Sequence, residues 1–183
     1  MTLKLTIAAS ATALMLCAPF AFAQSTDPTQ SDTSAQLNTA MTDTDFLNTA
    51  ASSDEFERQS GQIAVQRGQR EDVRTLGQQL ITDHTQSTAQ LTAAASAAGL
   101  PPPTPVLHPG LQRKLAELTN APAEVFDQIF LQIQAEAHAD ARGLMRTCID
   151  TCDAEPLRTT ADQILPVIRM HLAHTIGLQR SFE

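Results

Sequence analysis

Residues 70–98 read REDVRTLGQQLITDHTQSTAQLTAAASAA, and this stretch decides the fold. Val73, Leu76, Leu80, His84, Ser87, Leu91, Ala94 and Ala98 recur at three- and four-residue steps, so a helix over about 70 to 98 carries them all on one inward stripe. One member of that stripe is a histidine. Gly99 supplies a stop, and Leu100 to Pro109, with five prolines, cannot be helical and reads as a crossover along the surface.

The pattern repeats on both sides of this stretch. Upstream, the capping cluster Thr42-Asp43-Thr44-Asp45 opens a helix over about 44 to 67, whose stripe is Phe46, Ala50, Ser53, Glu57, Gly61 and Ala64. A tight connection near Gly68 and Gln69 joins it to the next helix. Downstream, a short helix is expected from about Leu111 to Leu118. Thr119-Asn120-Ala121-Pro122 then caps a third long helix, about 122 to 150, with Phe126, Ile129, Phe130, Ile133, Ala137, Ala141, Leu144 and Cys148 inward and His138 beside them. Asp153 is placed to cap a fourth, about 154 to 179, with a stripe of Leu157, Ala161, Ile164, Ile168, His171, Thr175 and Leu178. Pro166 removes one hydrogen bond from that helix and is expected to kink it before His171.

These elements predict an all-α chain: an antiparallel four-helix bundle with a short extra helix in the crossover between the second and third long helices. Glu57 and His84 stand about 12 and 15 residues from the first tight connection, and His138 and His171 about 15 and 18 from the turn near Asp153. At about 1.5 Å per residue, all four fall within roughly 10 Å of one level if the two tight turns share an end of the bundle, as an up-down-up-down topology places them. Polar ligands converging at one depth in a bundle form metal sites. Imidazoles with a carboxylate suit zinc, copper, iron or nickel, so Glu57, His84, His138 and His171 are candidate ligands of one transition-metal ion, with Asp83 orienting His84 or joining directly. The same residues also fit a hydrogen-bonded cluster in which Glu57 accepts from the histidines and which fixes helix register. The Glu-x-x-His pairs of a carboxylate-bridged di-iron centre are absent, which argues against ferroxidase chemistry. His174, at the stripe's edge, and His108, in the crossover, are expected at the surface.

The first 23 residues place Lys4 before an apolar run from Leu5 to Phe20 and then Ala21-Phe22-Ala23, the pattern of a secretory signal peptide cleaved after Ala23. Cys17 follows Leu16 rather than the small residue of a lipoprotein signal and is expected to leave with it. Removing 23 of 183 residues leaves 160, enough for one domain with a substantial core. Residues 24–42 are rich in Ser, Thr, Gln, Asp and Asn and read as a flexible polar leader, with the bundle domain over 43–180. Without Lys4 the chain holds 11 basic against 20 acidic residues, a net charge of −9 that disfavours nucleic acid and anionic lipid as partners. No mature segment has the roughly 20 apolar residues of a spanning helix. Tyr and Trp are absent, and so is the alternating strand pattern of an outer-membrane barrel. The expected location is the periplasm.

In such a compartment Cys148 and Cys152 are expected to form a disulfide, with the last helical turn unwound or Cys152 beyond it, since a four-residue spacing within a regular helix fits disulfide geometry poorly. A redox or thiolate metal site is the alternative reading of the pair. The sequence has no phosphate loop, nucleophile elbow or His-Glu-x-x-His helix, and Glu57 reads as the one acid on an inward stripe. No catalytic residues are assigned, and an enzymatic role is disfavoured.

Ala50-Ala51-Ser52 followed by Glu57 and Gly61-Gln62-Ile63-Ala64, Val73 to Leu76 leading into Asp83-His84-Thr85, Phe126-Asp127 and then His138, and Leu165-Pro166 before His171-Leu172 form a recognisable series. In these positions, over about Phe46 to Leu178, the chain resembles the bacterial exported domain of unknown function 4142, whose members often carry the label of predicted outer-membrane protein. The resemblance implies a ferritin-like helical bundle and a shared interior polar site, but no established activity. The chain departs from the usual pattern at Ser53-Asp54, where glycines are common, and at Phe130, where a tyrosine is usual. The functional expectation is therefore an exported bundle binding a transition metal through its interior Glu/His cluster. Its competitor is a non-enzymatic envelope or stress-related protein that acts through its surface.

Overall fold

Helix formation begins where the capping residues dictate. Thr42 accepts from the Asp45 amide (3.1 Å) while the Asp45 carboxylate accepts from the Thr42 amide (3.2 Å), a reciprocal box that satisfies two otherwise orphaned donors. A computed structural model of the chain describes residues 41–182. The export signal expected over 1–23, with Cys17, and nearly all of the leader expected over 24–42 lie outside the described residues.

Five α-helices follow: α1 (Asp43–Arg67), α2 (Glu71–Ala97), α3 (Pro109–Asn120), α4 (Phe126–Thr151) and α5 (Glu155–Gln179). Single 3-10 turns cover Ala123–Val125 and Arg180–Phe182, and the described residues contain no strand. The chain is an all-α bundle in which α1 lies along α2 and α4 along α5, with α2 against α5 and α1 against α4. The expected boundaries hold to within a few residues. α3 starts at Pro109, whose missing N–H costs nothing in a first turn.

One correction concerns α5, at its cap. Its N-terminus has no side-chain cap of its own, because the neighbouring element supplies one: Asp43 at the start of α1 accepts from the amides of Asp153 and Ala154, both at 2.9 Å. The helix also runs without interruption through Pro166.

α1 and α2 meet with unusual closeness at two glycines. A Cβ on Gly61 would stand 2.7 Å from the Gly77 carbonyl oxygen, and one on Gly77 would stand 2.8 Å from that of Gly61. Glu57 is one turn from the first glycine and His84 two turns from the second, so this crossing fixes their relative height. Ser52 straps the crossover onto α1, its hydroxyl donating to the Val106 carbonyl (2.9 Å) and accepting from the Val106 amide (3.0 Å). Arg67 likewise ties α1 to α3 by donating to the carbonyls of Leu118, Thr119 and Ala121.

The apolar interior is divided into two. One half gathers Phe46, Leu47, Leu91, Met145, Leu157 and Ile164 with their neighbours. The other gathers Phe56, Leu76, Leu80, Phe126, Phe130 and Leu131. In α2, α4 and α5 a histidine stands in sequence between residues of the two halves, and in α1 Asp54 and Glu57 stand close to Phe56. A polar layer therefore separates two apolar ones.

Cys148 and Cys152 are joined as a disulfide, with Cα atoms 4.6 Å apart. α4 ends at Thr151, and Cys152 is its C-cap in extended conformation. The last helical turn stays intact, the Cys152 amide donating to the Cys148 carbonyl at 2.9 Å, and Cys152 lies just beyond it.

Candidate metal centre

Each long helix contributes to the layer through a side chain that its heptad-like stripe turns inward. α1 brings Asp54 and Glu57, α2 His84, α4 Gln134 and His138, and α5 His171. Glu57, His138 and His171 are each only 1 % exposed, Asp54 4 % and His84 6 %. Buried polar groups of this kind are tolerated only when their hydrogen bonds are made inside the protein.

The partners fix how each imidazole carries its proton. The Nδ1 of His84 lies 2.8 Å from Asp54 Oδ1, the Nδ1 of His138 2.9 Å from the Gln134 carbonyl oxygen, and the Nε2 of His171 2.8 Å from Asp83 Oδ2. Carbonyl and carboxylate oxygens only accept, so these three nitrogens donate. In the neutral rings the remaining nitrogen of each, Nε2 of His84, Nε2 of His138 and Nδ1 of His171, is then a lone-pair donor to a cation. One ring nitrogen from each histidine falls within 4.8 Å of the others. The ring centroids are 5.2 to 5.7 Å apart.

Two of those lone pairs confront each other. His138 Nε2 and His171 Nδ1 stand 3.2 Å apart, a hydrogen-bond distance with no proton to share once the opposite nitrogens have donated theirs. His84 Nε2 is buried without a partner among the described residues, as is Glu57 Oε2. Glu57 Oε1 is 3.8 Å from His138 Nδ1, too long for a hydrogen bond.

Electrostatics sort the four groups. Burial holds His138 down at about 4, with the neighbouring His84 adding to the effect. Burial and the neighbouring His138 hold His171 at about 4 as well, against the pull of Asp83. For His84 burial also opposes the charge, but the Asp54 hydrogen bond and the fields of Glu57, Asp54 and Asp83 outweigh it and raise the group above its ordinary value. Burial pushes Glu57 up to about 7, against the fields of His84 and His171 and a Gln134 hydrogen bond. Near neutrality His138 and His171 are thus uncharged, and neither supplies the proton their contact lacks.

The fold brings Glu57, His84, His138 and His171 to one level. Asp83 joins them, though through His171 rather than through His84. Asp54 takes the place beside His84, holding the Thr88 hydroxyl with its second oxygen at 3.1 Å. Asp54 and Gln134 are the members that residue spacing did not single out. Asp54 precedes Glu57 by three positions and so shares its side of α1, which is the one signal that pointed to it. Gln134 stands one turn before His138 and anchors α4 to α1 by donating to Ser60 Oγ (2.9 Å). His108 and His174 are exposed, away from the cluster.

The sequence model described as Domain of unknown function (DUF4142) matches residues 28–178. Among solved structures, a crystal structure of a DUF305 fragment from Deinococcus radiodurans is similar with a TM-score of 0.66 and 20 % identity, covering 76 % of this chain and 95 % of that one. At that identity the likeness is one of fold. No curated protein matches the chain.

Proposed function

The chain belongs to the DUF4142 family, and we propose that it is an exported, periplasmic bundle that holds one transition-metal ion through His84, His138 and His171. The bundle is read as antiparallel, four-helical and ferritin-like. Each apolar half combines residues from the start of one long helix with residues from the end of the next, which supports that reading. The observation that carries the metal assignment is that one ring nitrogen of each histidine lies within 4.8 Å of the others, in rings that each have one nitrogen donating to a fixed oxygen and the other free to ligate. Ligating histidines are oriented in this manner by carboxylates and carbonyls, which set the tautomer and raise the basicity of the metal-facing nitrogen. A cation between His138 Nε2 and His171 Nδ1 would turn a repulsive contact into two ligand bonds.

Three imidazoles suit zinc, copper or iron, and Glu57 supplies a negative charge beside them. Asp54, Asp83 and the Gln134 carbonyl are positioning groups. The export reading is supported by the residues of the first 23 positions and by a disulfide, a bond found chiefly in oxidising compartments. No described helix is long and apolar enough to cross a membrane.

The test is metal content per protein after periplasmic expression and purification without a histidine tag or chelator, beside a His84→Ala, His171→Ala double variant. Near-stoichiometric metal that disappears in a folded double variant is the expected result. No metal in either protein, even after loading with zinc, copper and iron, overturns the proposal. It would favour instead a register-fixing cluster in an envelope protein that acts through its surface.

A further inference from the structure

A cleft has one member of the histidine cluster, His84, in its wall. It runs between α2 and α5, holds about 80 Å³, and is lined by Asp83, His84 and Ser87 with Ile164 and Ile168 among the groups opposite. His84 therefore belongs both to the cleft wall and to the three-nitrogen cluster. The Nε2 of the same histidine is buried and unpartnered.

We infer that the metal centre is open on this side, its fourth position being taken by a small exogenous ligand, water or a monovalent inorganic anion, that enters through the α2–α5 cleft. The inference rests on the metal reading above. First, the group of ligand atoms that can share one ion among the described residues comprises three histidines and no fourth side chain. Asp54 is engaged by His84 and Thr88, and Asp83 by His171. Three protein ligands and a vacant fourth position distinguish a reactive centre from a closed structural one. Second, the cleft is of the right size: a water needs roughly 10–15 Å³ of such space, so several waters or one small anion fit and a peptide or nucleotide does not. Third, the chemistry suits. Neutral imidazoles leave the ion its full charge, and the cleft wall includes the amides of Gln90 and Gln163, which donate to an anion without the desolvation cost of a buried cation.

The experiment replaces the native ion by cobalt(II), whose visible spectrum reports coordination, and titrates with sodium azide. The expected result is one cobalt per chain and a saturable spectral change with azide. Two plugged variants test the route: Val167→Phe, at an exposed position of the cleft rim that tolerates a larger side chain, and Ser87→Leu, deeper in the wall. Both should bind cobalt as the native protein does and bind azide at least about tenfold more weakly. Cobalt bound with no azide response in the native protein overturns the inference alone, and would mean that a protein group such as Glu57 closes the centre. Equal azide affinity in both folded, cobalt-loaded variants overturns the route. Failure to take up cobalt, with zinc, copper and iron also refused, overturns the metal reading and this inference together.

Discussion

Asp54→Asn isolates the role of a positioning carboxylate. The side chain is buried and accepts two hydrogen bonds, from His84 Nδ1 at 2.8 Å and from Thr88 Oγ1 at 3.1 Å. Asparagine keeps the shape and one acceptor oxygen, so the imidazole can still donate, but to a neutral partner. Hydrogen bonds to charged groups are worth about 1.5–3 kcal/mol against about 1 kcal/mol for neutral ones, so the metal-free protein should lose about 1–2 kcal/mol of stability. The effect on metal binding is separate. The carboxylate makes His84 Nε2 a stronger donor, and removal of such a partner typically weakens a site about 10–100-fold, or about 1.4–2.7 kcal/mol. Competition with a chelator of known affinity reads the second quantity and urea unfolding of the metal-free protein the first. A folded Asp54→Asn protein whose zinc affinity stays within about twofold of native would refute the reasoning, because a residue that merely packs the core would change stability and leave affinity alone.

Other outcomes follow from the same geometry. At pH 6 metal binding should release about one to two protons, from the raised His84 and Glu57, and none from His138 and His171, which burial keeps neutral above about 4. Affinity accordingly rises with pH between 6 and 7, and calorimetry in two buffers of different ionisation enthalpy would refute this sorting by finding three protons or none. Gly77→Ala places a Cβ 2.8 Å from the Gly61 carbonyl oxygen and 2.9 Å from the Ala64 Cβ, forcing α1 and α2 apart. It should cost roughly 1–3 kcal/mol in urea unfolding, the range for overpacking, and should also lower metal affinity if the crossing sets the height of His84. Asp127 accepts from the amides of Gln69 and Arg70, both at 2.9 Å, so Asp127→Ala should destabilise the α1–α2 connection by about 1–3 kcal/mol without changing metal stoichiometry. Thiol labelling of the oxidised mature protein without reductant should find neither Cys148 nor Cys152 free.

The helices and their inward faces were legible because apolar spacing is a local property that tertiary packing rarely reverses. The common level of Glu57, His84, His138 and His171 was legible as well, because each stands near the middle of a long helix, although the count that led to it took the two short turns to share an end, whereas Asp43 at the start of α1 capping the α4–α5 turn puts them at opposite ends. Pairing was not. Asp54 read as a solvated acid because a carboxylate is buried only when another element brings it a donor, and the donor, His84, is 30 positions away. Asp83 read as the neighbour of His84 because the two are adjacent in sequence, yet successive helical residues point about 100° apart and Asp83 meets His171 across the α2–α5 contact instead. The cap of α5 failed in the same way: Asp153 is the local choice, whereas Asp43 reaches it from the other end of the described chain. Each miss concerns a polar partner supplied by a different helix, which periodicity within one helix does not encode.

The division of the core into two apolar halves bears on which role the polar layer serves. Replacing a buried charged group by an apolar one of equal volume is often neutral or stabilising, so a layer containing Asp54, Glu57 and three imidazoles is a poor way to gain stability. A layer that fixes register could still be worth its cost, but such a device works through satisfied bonds, each donor matched to an acceptor across the bundle. With the rings neutral and Glu57 ionised, every imidazole N–H has an acceptor, while His84 Nε2, Glu57 Oε2, Gln134 Oε1 and the facing pair His138 Nε2 and His171 Nδ1 present lone pairs; below the raised values of His84 and Glu57 a proton occupies one or two of these positions, and a metal ion displaces it. A buried site with an excess of lone pairs and a deficit of protons is complementary to a cation. Because burial disfavours protonation of the two facing histidines, a metal ion satisfies that excess better than a proton does.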